Sequence, residues 1–174
     1  MSLLVLAYPE FSREDLSWIQ SIRKIHDQNY YLTGPHVTMV FETDDIPEDK
    51  FISHVEQVIH GQCKIDILLR SATMNYGQIT KSWFAFLTPS MGNGTLYHLH
   101  YKLYTGILAD ERQWKIPFIP HITIGHFDDL EPCKELIDQL NDERFNIPGM
   151  ISRIDIVRYE EDISTIKTID LLDK

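Results

Sequence analysis

Hydrophobic and polar positions alternate along this chain in blocks that read as strands and helices in turn. Leu3 to Tyr8 is an apolar run closed by Pro9, the pattern of a buried strand. Ser12 stands where a helix cap belongs, Glu14 and Asp15 suit a first turn, and Leu16, Ile19, Ile22 and Ile25 recur at helical spacing. Thr33-Gly34-Pro35 interrupts that pattern, and Val37 to Phe41 is the next strand. Asp45-Ile46-Pro47-Glu48 opens a second helix with Phe51, Ile52, Val55, Val58 and Ile59 along one side. Gly61 ends it, and Ile65 to Leu69 is a third strand.

The same order then starts again. Trp83 to Leu87 is a strand closed by Pro89, a helix follows over about Thr95 to Leu108, and Trp114 to Pro120 leads into the strand Ile122 to Phe127. Asp128 to Pro132 opens a helix through Leu136, Ile137 and Leu140; Ile154 to Val157 and Thr165 to Leu172 are the last strands. Side chains match as well as elements. Pro35-His36-Val37-Thr38-Met39 faces Pro120-His121-Ile122-Thr123-Ile124, Lys64 to Ile67 faces Arg153 to Ile156, and Tyr8-Pro9 faces Thr88-Pro89. The expectation is an α+β protein: one bilobal domain over residues 1–174, with approximate repeats 1–75 and 80–174. Each repeat is a β-α-β-α-β lobe, the two being related by a pseudo-two-fold axis around a central cleft.

Alternate side chains of a strand share a face. His36 and Thr38 therefore point one way while Val37, Met39 and Phe41 point the other. In the second copy His121, Thr123 and Gly125 share one face, and Ile122, Ile124 and His126 the other. A single His-x-Thr on a strand is commonplace and most simply a hydrogen-bonded histidine. Two copies, each after a proline and at matching places in a duplicated chain, carry far more information.

The paired motifs His36-Val37-Thr38 and His121-Ile122-Thr123 resemble those of the two-histidine (2H) phosphoesterase superfamily, which includes RNA 2′,3′-cyclic phosphodiesterases and the so-called 2′-5′ RNA ligases. The resemblance implies a bilobal fold with both histidines in a central groove and no metal or cofactor. It makes His36 and His121 the catalytic pair. Histidine, with an ordinary pKa near 6.5, suits both the base that deprotonates water and the acid that protonates a departing ribose oxygen. The Thr38 and Thr123 hydroxyls can donate to non-bridging phosphate oxygens. A symmetric motif does not say which histidine is base and which is acid.

Charge narrows the substrate. The 174 residues carry 26 acidic against 16 basic side chains, a net charge of −10. Proteins that grip long duplexes need the opposite balance, so the expected partner is a small nucleotide or an RNA terminus with a cyclic phosphate, not long duplex nucleic acid. Tyr8 and Trp83, on the first strands of the two repeats, are candidates to stack a base and read at least as well as core aromatics. Arg70, Lys81 and Arg158 could steer phosphate, but each reads more simply as an ordinary surface charge. His98 and His100 diverge on a helix, and His54 and His60 read as solvent-facing, so no metal site is expected. Cys63 and Cys133 lie far apart outside any C-x-x-C pattern, and no apolar run approaches a membrane span. These features fit a soluble cytoplasmic protein. Two other readings use the same residues: a module that binds a nucleotide or RNA end without turnover, and a 2′-5′ RNA ligase-type transesterase.

Overall fold

A computed structural model describes residues 2–112 and 116–173. The chain runs β1 (Ser2–Ala7), β2 (Glu10–Phe11), α1 (Arg13–His26), β3 (Val37–Thr43), α2 (Glu48–Ile59) and β4 (Ile65–Gly77). It continues β5 (Ser82–Met91), α3 (Asn93–Leu103), β6 (Ile122–Phe127), α4 (Leu130–Glu143), β7 (Ile147–Ile151), β8 (Arg153–Tyr159) and β9 (Ile163–Asp170). Ser12 caps α1, its hydroxyl accepting from the Asp15 amide at 3.1 Å. Gly61 takes the left-handed conformation, φ 80°, just past α2, where a side chain would be strained.

All strand pairs are antiparallel and form two sheets, β3-β1-β8-β9 and β2-β7-β4-β5-β6. The order β6-β5-β4 matches β3-β1-β8, while the strands next to β4 and β8, β7 and β9, both come from the second half of the chain. The boundary between repeats is not the boundary between sheets, however. β4, the last strand of the first repeat, pairs with β5, and β8 of the second pairs with β1. The first half thus lends β4 to the sheet of β5 and β6, and the second lends β8, with β9 beside it, to the sheet of β1 and β3. Helices cross over too: α1 lies against β6 and α3 against β3, covering the edge strands of the opposite sheets. The exchange makes one continuous core that includes Leu3, Val37, Phe51, Ile67, Leu87, Ile122, Ile137 and Ile156.

Several elements differ from the sequence reading. β4 runs to Gly77, well past Leu69, and forms a long hairpin with β5, which passes through Pro89 to Met91. β7 carries no clear pattern: Pro148 and Gly149 sit in a short strand beside β4. α3 stops at Leu103, followed by a 3-10 turn over Gly106–Leu108. Trp114 lies outside the described residues. On α1, Ile25 is 76% exposed and the buried residues are Ile19 and Arg23. Arg23 is accommodated inside because its Nε donates to Asp27 at 2.8 Å and its Nη1 to Gln20 at 3.0 Å.

Candidate active site

Both motif strands carry a bulge at the same place. Val5 pairs with Val40 and Leu6 with Thr38, so Met39 is an extra residue in β3. Ala85 pairs with Gly125 and Phe86 with Thr123, so Ile124 is the extra residue in β6. Met39 and Ile124 are both wholly buried. Up to the bulge, alternation holds: Val37 and Ile122 enter the core, and the half-buried His36, Thr38, His121 and Thr123 lie on the opposite face.

Past the bulge the parity reverses, which corrects three expectations: in β3, Val40 is buried and Phe41, expected in the core, is exposed, and in β6 Gly125 and His126 change faces. Gly125 pairs with the buried Ala85, facing α1; a Cβ there would sit 2.6 Å from Phe127 and 3.2 Å from His26. His126 pairs with Phe84 and stacks on its ring at 4.6 Å, on the same side as His121 and Thr123. The duplication also aligns differently here from the sequence match of Asp66 with Asp155. Asp155 pairs with Leu6, two residues before Tyr8, whereas Phe86, two before Thr88, pairs with Thr73.

The two imidazoles are held alike. His36 Nδ1 lies 2.9 Å from the Gly34 carbonyl and 2.7 Å from the Thr33 hydroxyl; His121 Nδ1 lies 2.5 Å from the Ile119 carbonyl. A carbonyl only accepts, so Nδ1 carries the hydrogen in both rings and Nε2 is left with a lone pair. Burial lowers the pKa of both. His121 is brought down to about 4, with a proton on His36 opposing it further. At His36 the Arg23 guanidinium also lowers the pKa, against the Gly34 carbonyl and the Asp27 carboxylate, which raise it. A charge on His36 thus disfavours a proton on His121, and burial disfavours the charged form of both rings.

Tyr8 stands beside His36 with ring centroids 5.8 Å apart and shares a hydrogen bond with Thr33. Trp83 does not join the group. It alternates with the buried Ala85 and Leu87, packs into the core and rests on Tyr76 at 4.9 Å. The residue on the site face of β5 is Phe86, which stacks on His121 at 3.6 Å and which sequence reasoning missed. Counting back by twos from Thr88 reaches it. Arg158 pairs with Glu48, Arg70 donates to Asn146 at 2.7 Å, and Lys81 lies in the β4–β5 turn. His54 is half-buried, its Nε2 2.9 Å from the Leu103 carbonyl, and His100 is buried with its Nδ1 on the Met39 carbonyl. Among the described residues no three His, Cys, Asp or Glu side chains come together as metal ligands.

Two antiparallel sheets built by strand exchange, each presenting a His-x-Thr pair from an edge strand, define the class of two-histidine phosphoesterase folds. The chain belongs to the 2′-5′ RNA ligase superfamily, whose profile matches residues 9–163. A provisionally named phosphoesterase of Geobacillus sp. (strain WCH70) is 29% identical over 154 residues, 87% of this chain and 79% of the relative. Another, from Oceanobacillus iheyensis, is 24% identical over 139 residues, 79% of this chain and 78% of that one. Among solved structures, TT0787 of Thermus thermophilus superposes over the whole of both chains with a TM-score of 0.67 at 17% identity. E. coli LigT complexed with 3′-AMP covers 98% of this chain and 97% of its own, with a TM-score of 0.58 at 16% identity. These likenesses carry the fold. No described helix is long and apolar enough to cross a membrane.

Proposed function

We propose that the protein is a metal-independent phosphodiesterase that opens a 2′,3′-cyclic phosphate on a small nucleotide or an RNA end. The observation that carries this reading is the matched pair His36 and His121. Each is anchored through Nδ1 to a carbonyl two residues before it, which leaves Nε2 with a lone pair, and a charge on His36 lowers the pKa of His121. In the reaction one Nε2 takes a proton from water as the water oxygen bonds to phosphorus. The bond from phosphorus to one ribose oxygen breaks, and the other imidazole, protonated, supplies that oxygen's proton. The bound phosphate's negative charge favours the imidazolium that the acid role needs. Thr38 and Thr123 donate to the non-bridging oxygens, and Tyr8 lines the site beside His36. LigT with 3′-AMP and Usb1 of Kluyveromyces marxianus with uridine monophosphate support a nucleotide ligand. The free Cys63 and Cys133 suit the cytoplasm.

The test is turnover of a panel of 2′,3′-cyclic nucleotides and cyclic-ended oligonucleotides with product analysis. His36→Ala and His121→Ala should each lower kcat by about 10²–10⁴ while the fold persists, and EDTA should leave wild-type activity intact. Full activity in the double variant sinks the assignment. The family's name favours a second reading, 2′-5′ strand joining at the same site. Joined product from cyclic and 5′-hydroxyl ends would identify it. Binding of cyclic nucleotides without product at any pH would instead indicate a non-catalytic module.

A further inference from the structure

The parity reversal at Ile124 leaves a set of side chains that the reaction above does not use. Beyond His121 and Phe86 the rings continue: Phe86 to Phe84 at 6.0 Å with planes 26° apart, then Phe84 to His126 at 4.6 Å and 24°. His126 Nδ1 meets the side-chain amide of Gln28, which is exposed on the loop between α1 and β3. That same loop supplies Thr33 and Gly34 to His36, so one segment borders both the catalytic imidazole and the far end of the ring column. Phe84 and His126 are half-buried, not sealed in the core.

We infer that Phe84, His126 and Gln28 form a second nucleobase subsite, so that the substrate is a chain end of at least two nucleotides. The inference rests on the phosphodiesterase reading for the position of the scissile phosphate. Phe84 lies one strand repeat beyond Phe86, about 6.6 Å, the scale of one nucleotide step in an extended single strand. Phe84 lies between the rings of Phe86 and His126, so the half-buried His126 that ends the column is the stacking platform, and stacking tolerates any base. Gln28 and His126 offer hydrogen-bond donors and acceptors that can exchange their mutual contact for the edge of a base. A chain with net charge −10 has little to gain from backbone phosphates, so selectivity for a longer end falls to stacking.

The experiment compares adenosine 2′,3′-cyclic phosphate with a dinucleotide bearing the same cyclic end, in wild type, Gln28→Ala and His126→Ala. The readout is the ratio of the two kcat/KM values, from which the fraction of active enzyme cancels. We expect wild type to favour the dinucleotide by roughly tenfold and both variants to bring the ratio close to one. A wild-type ratio near one, or a ratio unmoved in both variants, overturns the subsite. The same ratio is read by equilibrium binding of the matching 3′-phosphorylated mono- and dinucleotide. If neither cyclic compound turns over, the hydrolytic reading fails, and the binding ratio decides the subsite by itself.

Discussion

His36 and His121 have the same anchoring but different surroundings, and the difference sets the pH behaviour. Both lie below the ordinary histidine pKa in the free protein, His121 at about 4. Acid-base catalysis needs one ring protonated and the other neutral, so kcat/KM should peak below about pH 6.5 and fall on the alkaline side. A profile flat from mildly acid to alkaline pH would remove the imidazoles from the rate-limiting chemistry. The hydroxyl role is tested by Thr38→Val and Thr123→Val, which keep shape and delete the donor. Each should lower kcat/KM by about ten- to a hundredfold, the usual cost of losing a hydrogen bond to a charged group. Strand alternation showed from the sequence that each histidine shares a face with its own threonine. Phe86 was not legible there, because Phe84 and Phe86 each meet a histidine of β6, and only the pairing of β5 with β6 decides which of them meets His121.

At the scale of elements the twin bulges carry most weight. Alternation applied through Gly125 and His126 reverses their faces, since an extra residue cannot be recognised in a run as regular as Ile122-Thr123-Ile124. The consequence at Gly125 is measurable. A methyl group there would meet Phe127 at 2.6 Å and 3.1 Å and the His26 Cβ at 3.2 Å, all between β6 and α1. Gly125→Ala should destabilise the protein by about 1–3 kcal/mol, read as a lower midpoint in urea. An unchanged midpoint would mean that α1 and Phe127 give way freely. On α1 the periodic pattern of Leu16, Ile19, Ile22 and Ile25 identified a helix but not its buried face. Arg23 takes part of that face because Asp27 and Gln20 satisfy it, an arrangement that no hydrophobic count reveals.

For the whole molecule, the crossing of β4 and β8 ties the two halves together, so unfolding should be cooperative and sensitive to buried histidines. His36, His100 and His121 all have folded pKa values below the ordinary one, with burial the largest cause. The unfolded chain therefore protonates first as pH falls through about 6.5. Their contribution to stability is complete above that pH, declines as pH drops, and levels off below about 4, where folded His100 and His121 also protonate. His100 is 3% exposed and stacked on Phe118 at 3.7 Å, so its effect is the clearest. Unfolding free energy of His100→Gln should depend on pH less steeply than wild type between pH 6 and 4.5, by up to about 1.4 kcal/mol per pH unit. Parallel curves for the two proteins would show that His100 does not titrate on unfolding.

Sequence alone determined the repeated order of elements, the helices and most of the strands, the two His-x-Thr motifs and the family they point to. Those features depend on residue type and local period, which short-range sterics and amphipathic burial enforce. Tertiary structure decided which sheets β4 and β8 join, where the parity of β3 and β6 resets, and that Phe86 rather than Trp83 stands beside a histidine. These are matters of long-range pairing. A strand's own pattern says which side chains share a face, while its neighbours and the register between them decide what that face meets.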